Sequence, residues 1–185
     1  MSLTFRPKLD KIVELLLYLA HKRPGADKYQ AVKFFYLADR EHLNRYGRPI
    51  SFETYFALPY GPVASHAMDL LERDPRALEA AGIKDLPFKT EEKNGITYIR
   101  EPMREVDADL FSRTDLQVFD EILAEYGQMT FDELFKLTHA DVAYTNAWDK
   151  RGFSNRSLME YADMIEDQKK RAAMEEDLGP VAAKM

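Results

Sequence analysis

The chain has 185 residues, 45% of them hydrophobic and 31% charged, a size and balance expected of one compact globular domain. It has no cysteine, which excludes a disulfide scaffold, thiolate metal sites and a thiol nucleophile. The net charge of −6 is uneven: residues 1–100 carry 16 Lys/Arg and 13 Asp/Glu, residues 101–185 carry 10 and 19. The acidic second half argues against wrapping nucleic acid and offers a face to a basic partner.

No run approaches the ~18 apolar residues that a membrane span needs. Met1 to Pro7 holds no long apolar stretch, so the expected location is the cytoplasm. Leu9, Ile12, Val13, Leu16, Leu17 and Ala20 recur at helical spacing and stop at Arg23-Pro24-Gly25. Asp27 is placed to cap a second helix from Lys28 to Tyr46. That helix is apolar around most of its girth, as expected of a central element, and Gly47 and Pro49 end it.

Ile50 to Leu58 is rich in β-formers and predicts a short strand within it. Pro59-Tyr60-Gly61-Pro62 then makes a tight corner, after which Val63, Ala67, Leu70 and Leu71 predict a helix beginning at Val63. Asn94-Gly95 between two strand-like runs predicts a hairpin near 88–100. Thr114 or Asp115 is expected to cap the next helix, which Gly127 stops. Thr130 and Glu133 form a capping box for another, with Leu134, Phe135 and Leu137 as its apolar side. Ala143 to Lys150 holds the only tryptophan, Trp148. A last helix is expected to carry Leu158, Tyr161, Ala162 and Ile165, fraying over Gln168 to Asp177. The expected fold is mainly α (α+β): one compact domain of seven or eight helices with a small antiparallel β element. Residues 1–170 form the domain and residues 171–185 a flexible C-terminal tail.

No phosphate-binding glycine loop, nucleophile elbow or zinc motif is present. Asp39 and His42 share a helical face, and with His66, His139 and Asp141 they are candidates for a His/Asp site, a metal site or a hydrolase base with its orienter. Ser51, Ser65 and Thr138 have no nucleophile motif around them, so no catalytic residue, metal or cofactor is assigned. Arg40, Arg45 and Arg48, with Tyr46, are a candidate nucleic-acid face, which keeps a binding regulator as an alternative. Tyr55, Tyr60 and Trp148 are large amphipathic groups suited to interface anchoring as well as to a core.

Three segments carry a family resemblance. Phe35-Tyr36-Leu37-Ala38-Asp39-Arg40-Glu41-His42 with Tyr46-Gly47-Arg48-Pro49-Ile50 is the first. Tyr55 to Val63, containing Leu58-Pro59-Tyr60-Gly61-Pro62, is the second, and Leu137-Thr138-His139 running on to Ala147-Trp148 is the third. Together they resemble the Panacea domain of SocA-like antitoxins over roughly residues 9–165, with a longer spacing before Trp148. The resemblance implies a non-enzymatic antitoxin, in a phage or prophage setting, that binds a cognate protein toxin directly or delivers it to a protease. On that reading Tyr46, Arg48, Tyr60 and Trp148 are partner-binding candidates. Asp39, His42, Gly47, Pro59, Gly61, Pro62 and His139 are scaffold positions. The toxin, the stoichiometry and the oligomeric state are not implied.

Overall fold

The computed structural model describes residues 3–178 and Lys184. The described chain is mainly helical, with eight α-helices and two small antiparallel sheets. Helix α1 (Leu9–Lys22) buries Ile12, Leu15, Leu16, Leu19 and Ala20. Helix α2 (Lys28–Tyr46) is the central element, buried without a break from Ala31 to Asp39. Its ends follow the sequence. The Asp27 carboxylate accepts from the Tyr29 and Gln30 N–H groups, Gln30 reaches back to the Asp27 N–H, and Gly47 closes the helix at φ +78°.

The short strand expected within Ile50–Leu58 is β1, Tyr55–Leu58. The preceding residues cannot extend, because Asp39 takes the Ile50 and Ser51 N–H groups and Phe52 sits at φ +57°. The helix expected from Val63 also starts later. Gly61–Ala64 is a strand, β2, paired antiparallel to β1 with Leu58 opposite Gly61 and Phe56 opposite Val63. Helix α3 (Ser65–Leu71) follows, then α4 (Pro75–Ala80). The hairpin is where Asn94-Gly95 places it: β3 (Phe88–Lys93) and β4 (Ile96–Pro102) join through φ +52° and +74°. Ile99 ties β4 to the α1–α2 corner by bonds to Ala26 and Gly25.

Helix α5 (Arg113–Tyr126) is capped by Ser112, with Asp115 completing the box, two or three positions from the expected caps. Helix α6 (Phe131–His139) has the Thr130–Glu133 box, but its buried side is Leu134 and Thr138, and Leu137 is exposed. Helix α7 (Val142–Asp149) is capped by Asp141. The last expected helix is not formed at Leu158–Ile165. Ser157–Leu158 is strand β5, which pairs with β1 to give the order β2-β1-β5, and Tyr161–Met164 is a single 3-10 turn. Tertiary packing overrides the helical spacing there: Tyr161 donates to the Glu53 carbonyl at 2.7 Å and sets its ring 5.0 Å from Phe5. Helix α8 (Gln168–Leu178) comes after it, anchored by buried Met174 and by the Arg171–Asp163 pair at 2.9 Å. The expected tail thus begins inside α8; beyond it, residues 179–183 and 185 lie outside the described residues.

Candidate partner-binding surface

The β1–β2 turn is held by side chains that take its carbonyls one after another. Tyr144 donates its hydroxyl to the Leu58 carbonyl at 2.9 Å, and His139 Nε2 bonds the Pro59 carbonyl at 3.0 Å. Lys33 Nζ donates to the Tyr60 carbonyl at 2.8 Å and to the Pro62 carbonyl at 2.7 Å. Pro59 presets the first corner of the two-residue turn. Gly61 is required twice over: its φ is +97°, and a Cβ there would meet Lys33 Nζ at 2.8 Å, Thr138 Oγ1 at 3.1 Å and His139 Cε1 at 3.2 Å. The turn is therefore rigid backbone, and its one large outward side chain is Tyr60, 62% exposed.

Lys33 is 2% exposed and has no carboxylate partner among the described residues. Burial pulls its amine down from 10.5 to about 7. Between those values the unfolded chain binds a proton that the folded chain does not, so this group's contribution to stability grows as pH rises from about 7 to 10.5. It is lost as pH falls through about 7. In urea melts, wild type should gain on the order of 3–5 kcal/mol over Lys33→Met across that window. Parallel pH profiles for the two chains would show that the amine is protonated in the fold.

A continuous line of rings extends from the turn. Tyr60 stands 6.3 Å from Phe131, Phe131 6.0 Å from Phe135, and Phe135 stacks on His139 at 3.7 Å. His139 is 4.5 Å from Tyr144, and Tyr144 stacks on Trp148 at 6.0 Å. Trp148 carries the Arg151 guanidinium 3.9 Å above its ring. At the Tyr60 end Tyr29 approaches Phe131 at 5.9 Å, and Asp27, Tyr29, Tyr60, Ile96 and Phe131 line a cavity of about 360 Å³.

The four binding candidates fall into two places. Tyr60 and Trp148 end this aromatic line. Tyr46 and Arg48 lie at the far end of α2, about 20 Å along its axis from Lys33. Tyr46 is exposed beside His42, on a cavity of about 530 Å³ shared with Arg48 and Met174 of α8. Arg48 is engaged internally, bonding Asp115 at 2.8 Å, Ser112 at 3.0 Å and the Pro49 carbonyl at 3.0 Å. Asp115 also takes Lys11 at 2.9 Å. Burial raises the Asp115 carboxyl, but Lys11, the Ser112 N–H and Arg48 outweigh it and leave it below its ordinary value.

The proposed His/Asp cluster is not brought together. Asp39 is fully buried and accepts from Ile50 N–H at 2.8 Å, Ser51 N–H at 2.9 Å, Ser51 Oγ at 2.5 Å and Tyr55 OH at 2.8 Å. Burial pushes its carboxyl up against those four donors. His42 bonds the Arg48 carbonyl at 2.7 Å and Thr114 Oγ1 at 3.0 Å, and burial holds it below its ordinary pKa. His139 serves the turn, and His66 bonds Glu53 at 2.5 Å. Among the described residues no group of three His, Asp or Glu is arranged for a metal.

The candidate phosphate-facing arginines are likewise neutralised. Arg40 pairs with Asp141 and Glu166 at 2.9 and 2.7 Å, Arg45 with Glu41 and Glu121 at 2.5 Å each, and Arg48 with Asp115.

The sequence reading missed Lys33, Phe131, Phe135 and Tyr144. Two signals were readable. A lysine inside the apolar girth of α2 must find buried acceptors. Phe131, Phe135 and His139 recur at i, i+4, i+8, and Tyr144 and Trp148 repeat the i, i+4 step.

Neither the comparison with curated proteins nor that with solved structures returned a match. A family model described as "Antitoxin SocA-like, Panacea domain" matches residues 32–145. The matched segment is narrower than the 9–165 suggested by the motifs. It includes the α2 motif, the clamped turn and the Leu137-Thr138-His139 step, and it stops short of Trp148. The turn, the lysine beneath it and the histidine beside it thus all fall within the matched segment, and the chain belongs to the SocA-like antitoxins with a Panacea domain.

Proposed function

We propose that the chain neutralises a cognate protein toxin by direct binding through the surface that runs from Tyr60 to Trp148. The observation that carries this reading is the clamped turn. Four backbone carbonyls are tied by three side chains, so that an exposed tyrosine is presented on rigid backbone at the end of an aromatic line. A preorganised aromatic anchor loses little entropy on docking, and such anchors dominate interface energetics. On this reading Gly61, Pro59, Pro62 and His139 shape the turn. Asp39, His42 and Gly47 hold the α2 end, where Tyr46 is a secondary contact. Arg48 acts through Asp115 as a structural group.

Binding is favoured over catalysis because, among the described residues, no hydrogen bond joins any two of Asp39, His42, His66 and His139, and each is committed to structural partners. Binding of nucleic acid is disfavoured by the carboxylates that neutralise Arg40, Arg45 and Arg48. Within a toxin–antitoxin pair in the cytoplasm, masking of the toxin is the primary role, and delivery to a protease would use the same contact.

Co-expression with the product of the neighbouring reading frame tests the reading. The wild-type chain should restore growth and retain that product in a pull-down. Tyr60→Ala should lose about 30-fold or more in affinity, with an unchanged melting temperature. A neighbouring product that is neither toxic nor retained would refute the function. Lost affinity matched by lost stability would return Tyr60 to a packing role.

A further inference from the structure

We infer that the open edge of the small sheet at Ser157–Leu158 docks an extended acidic segment of a protein partner as an added strand. The sheet order is β2-β1-β5, so β5 is an edge. Its register decides which groups face outward. The Met159 N–H bonds the Tyr55 carbonyl at 2.9 Å, which makes Phe56 and Leu158 a non-hydrogen-bonded pair. The N–H and C=O of Leu158 therefore point away from β1, and among the described residues neither has a partner. An exposed edge of this kind is a template for strand addition.

The side chains around the edge state the chemistry of the occupant. Phe56, Leu58 and Val63 share the outer face of the sheet with Leu158 and are half-buried, while Leu158 is exposed. Phe153, at the turn before β5, is fully exposed. Residues 150–156 hold Lys150, Arg151 and Arg156 and no acidic residue, within a half of the chain that is otherwise strongly acidic. No ion pair engages these three among the described residues. Arg156 lies 4.4 Å over the Phe56 ring, so its fork is oriented with its donors uncommitted. It lines a cavity of about 130 Å³ with Leu58, Val63, Met68 and Asp69. Asp149 and Glu160 flank these residues in the chain and Asp69 shares the cavity, so the local charge is balanced and the pull on a carboxylate comes from the uncommitted guanidinium of Arg156. A segment with a carboxylate two residues from an aliphatic or aromatic residue sets both on the outer face, and so satisfies the edge, the apolar face and Arg156 together. The outward N–H and C=O of Leu158 are matched by a peptide backbone and not by a sugar-phosphate chain, which favours a protein segment over a single strand of DNA or RNA.

This inference rests on the reading of the chain as a protein binder, and its test is separable from that reading. A random displayed library of peptides of about 12 residues is selected on the full chain, and the recovered peptides are titrated by fluorescence polarisation. The expected peptides combine Asp or Glu with Leu, Val, Ile or Phe. Their affinity should fall about tenfold or more in Arg156→Glu, an exposed change that leaves the fold intact, and in Leu158→Pro, which removes the outward N–H. Recovery of no enriched sequence, or of sequences without carboxylates, overturns the inference. So does unchanged affinity in Arg156→Glu, or displacement of the peptide by a single-stranded oligonucleotide. Toxin neutralisation that persists alongside any of those results leaves the proposed function standing.

Discussion

Replacing Asp39 with alanine should destabilise the fold by about 3–5 kcal/mol, a large part of what a domain of this size possesses. The carboxylate is inaccessible to water and receives two backbone N–H groups and two hydroxyls. Alanine strands the Ile50 and Ser51 N–H groups and the Tyr55 hydroxyl in an apolar interior. It also frees the irregular segment that carries Phe52 at φ +57°, whose unfavourable backbone is held by those bonds. Asn is expected to cost less, about 1–2 kcal/mol. Its carbonyl can occupy the Oδ1 position that accepts the two N–H groups, and its amide can donate to hydroxyl oxygens that rotate to accept. Urea denaturation of both variants measures the pair. Equal losses would mean that the ionic charge, rather than the count of acceptors, holds Ile50 and Ser51 in place.

Gly61→Ala should cost about 2–4 kcal/mol and displace the turn. The backbone is in a region that L-residues avoid, at φ +97°. The added methyl would sit 2.8 Å from an amine that is itself fixed by two carbonyls. Lys33 cannot retreat without leaving the Tyr60 and Pro62 carbonyls unpaired, and Thr138 and His139 close the other side. Differential scanning calorimetry reads the stability loss. The chemical shifts of Tyr60 and His139 read the displacement of the turn. A variant as stable as wild type with those shifts unmoved would contradict the clamped geometry.

Local signals were legible in the chain wherever the physics is local. Asp27 and Gly47 bound α2, Asn94-Gly95 turns the hairpin, and Thr130 with Glu133 starts α6. The misreadings lie where distant residues decide. Pro62-Val63 looks like the start of a helix, but Lys33 captures the flanking carbonyls and β1 captures the strand. Leu158, Tyr161, Ala162 and Ile165 have helical spacing, yet β1 takes Leu158 and the Phe5–Tyr55 cluster takes Tyr161.

The same division holds for the site. Tyr60 and Trp148 could be named from residue type, but their connection runs through Phe131, Phe135 and Tyr144, whose roles depend on how α6 and α7 pack against the turn. Arg48 read as a surface contact because nothing within its own segment shows that Asp115, 67 residues away, is its partner.

The central claim is that the clamped turn and its aromatic line form the toxin contact. Hydrogen–deuterium exchange of the full chain, alone and with the neighbouring gene product bound, tests it directly. Protection on binding should concentrate in residues 57–62 and 131–148, with residues 45–48 and 170–178 changing little. Protection confined to the α2–α8 end, with the turn unaffected, would contradict it.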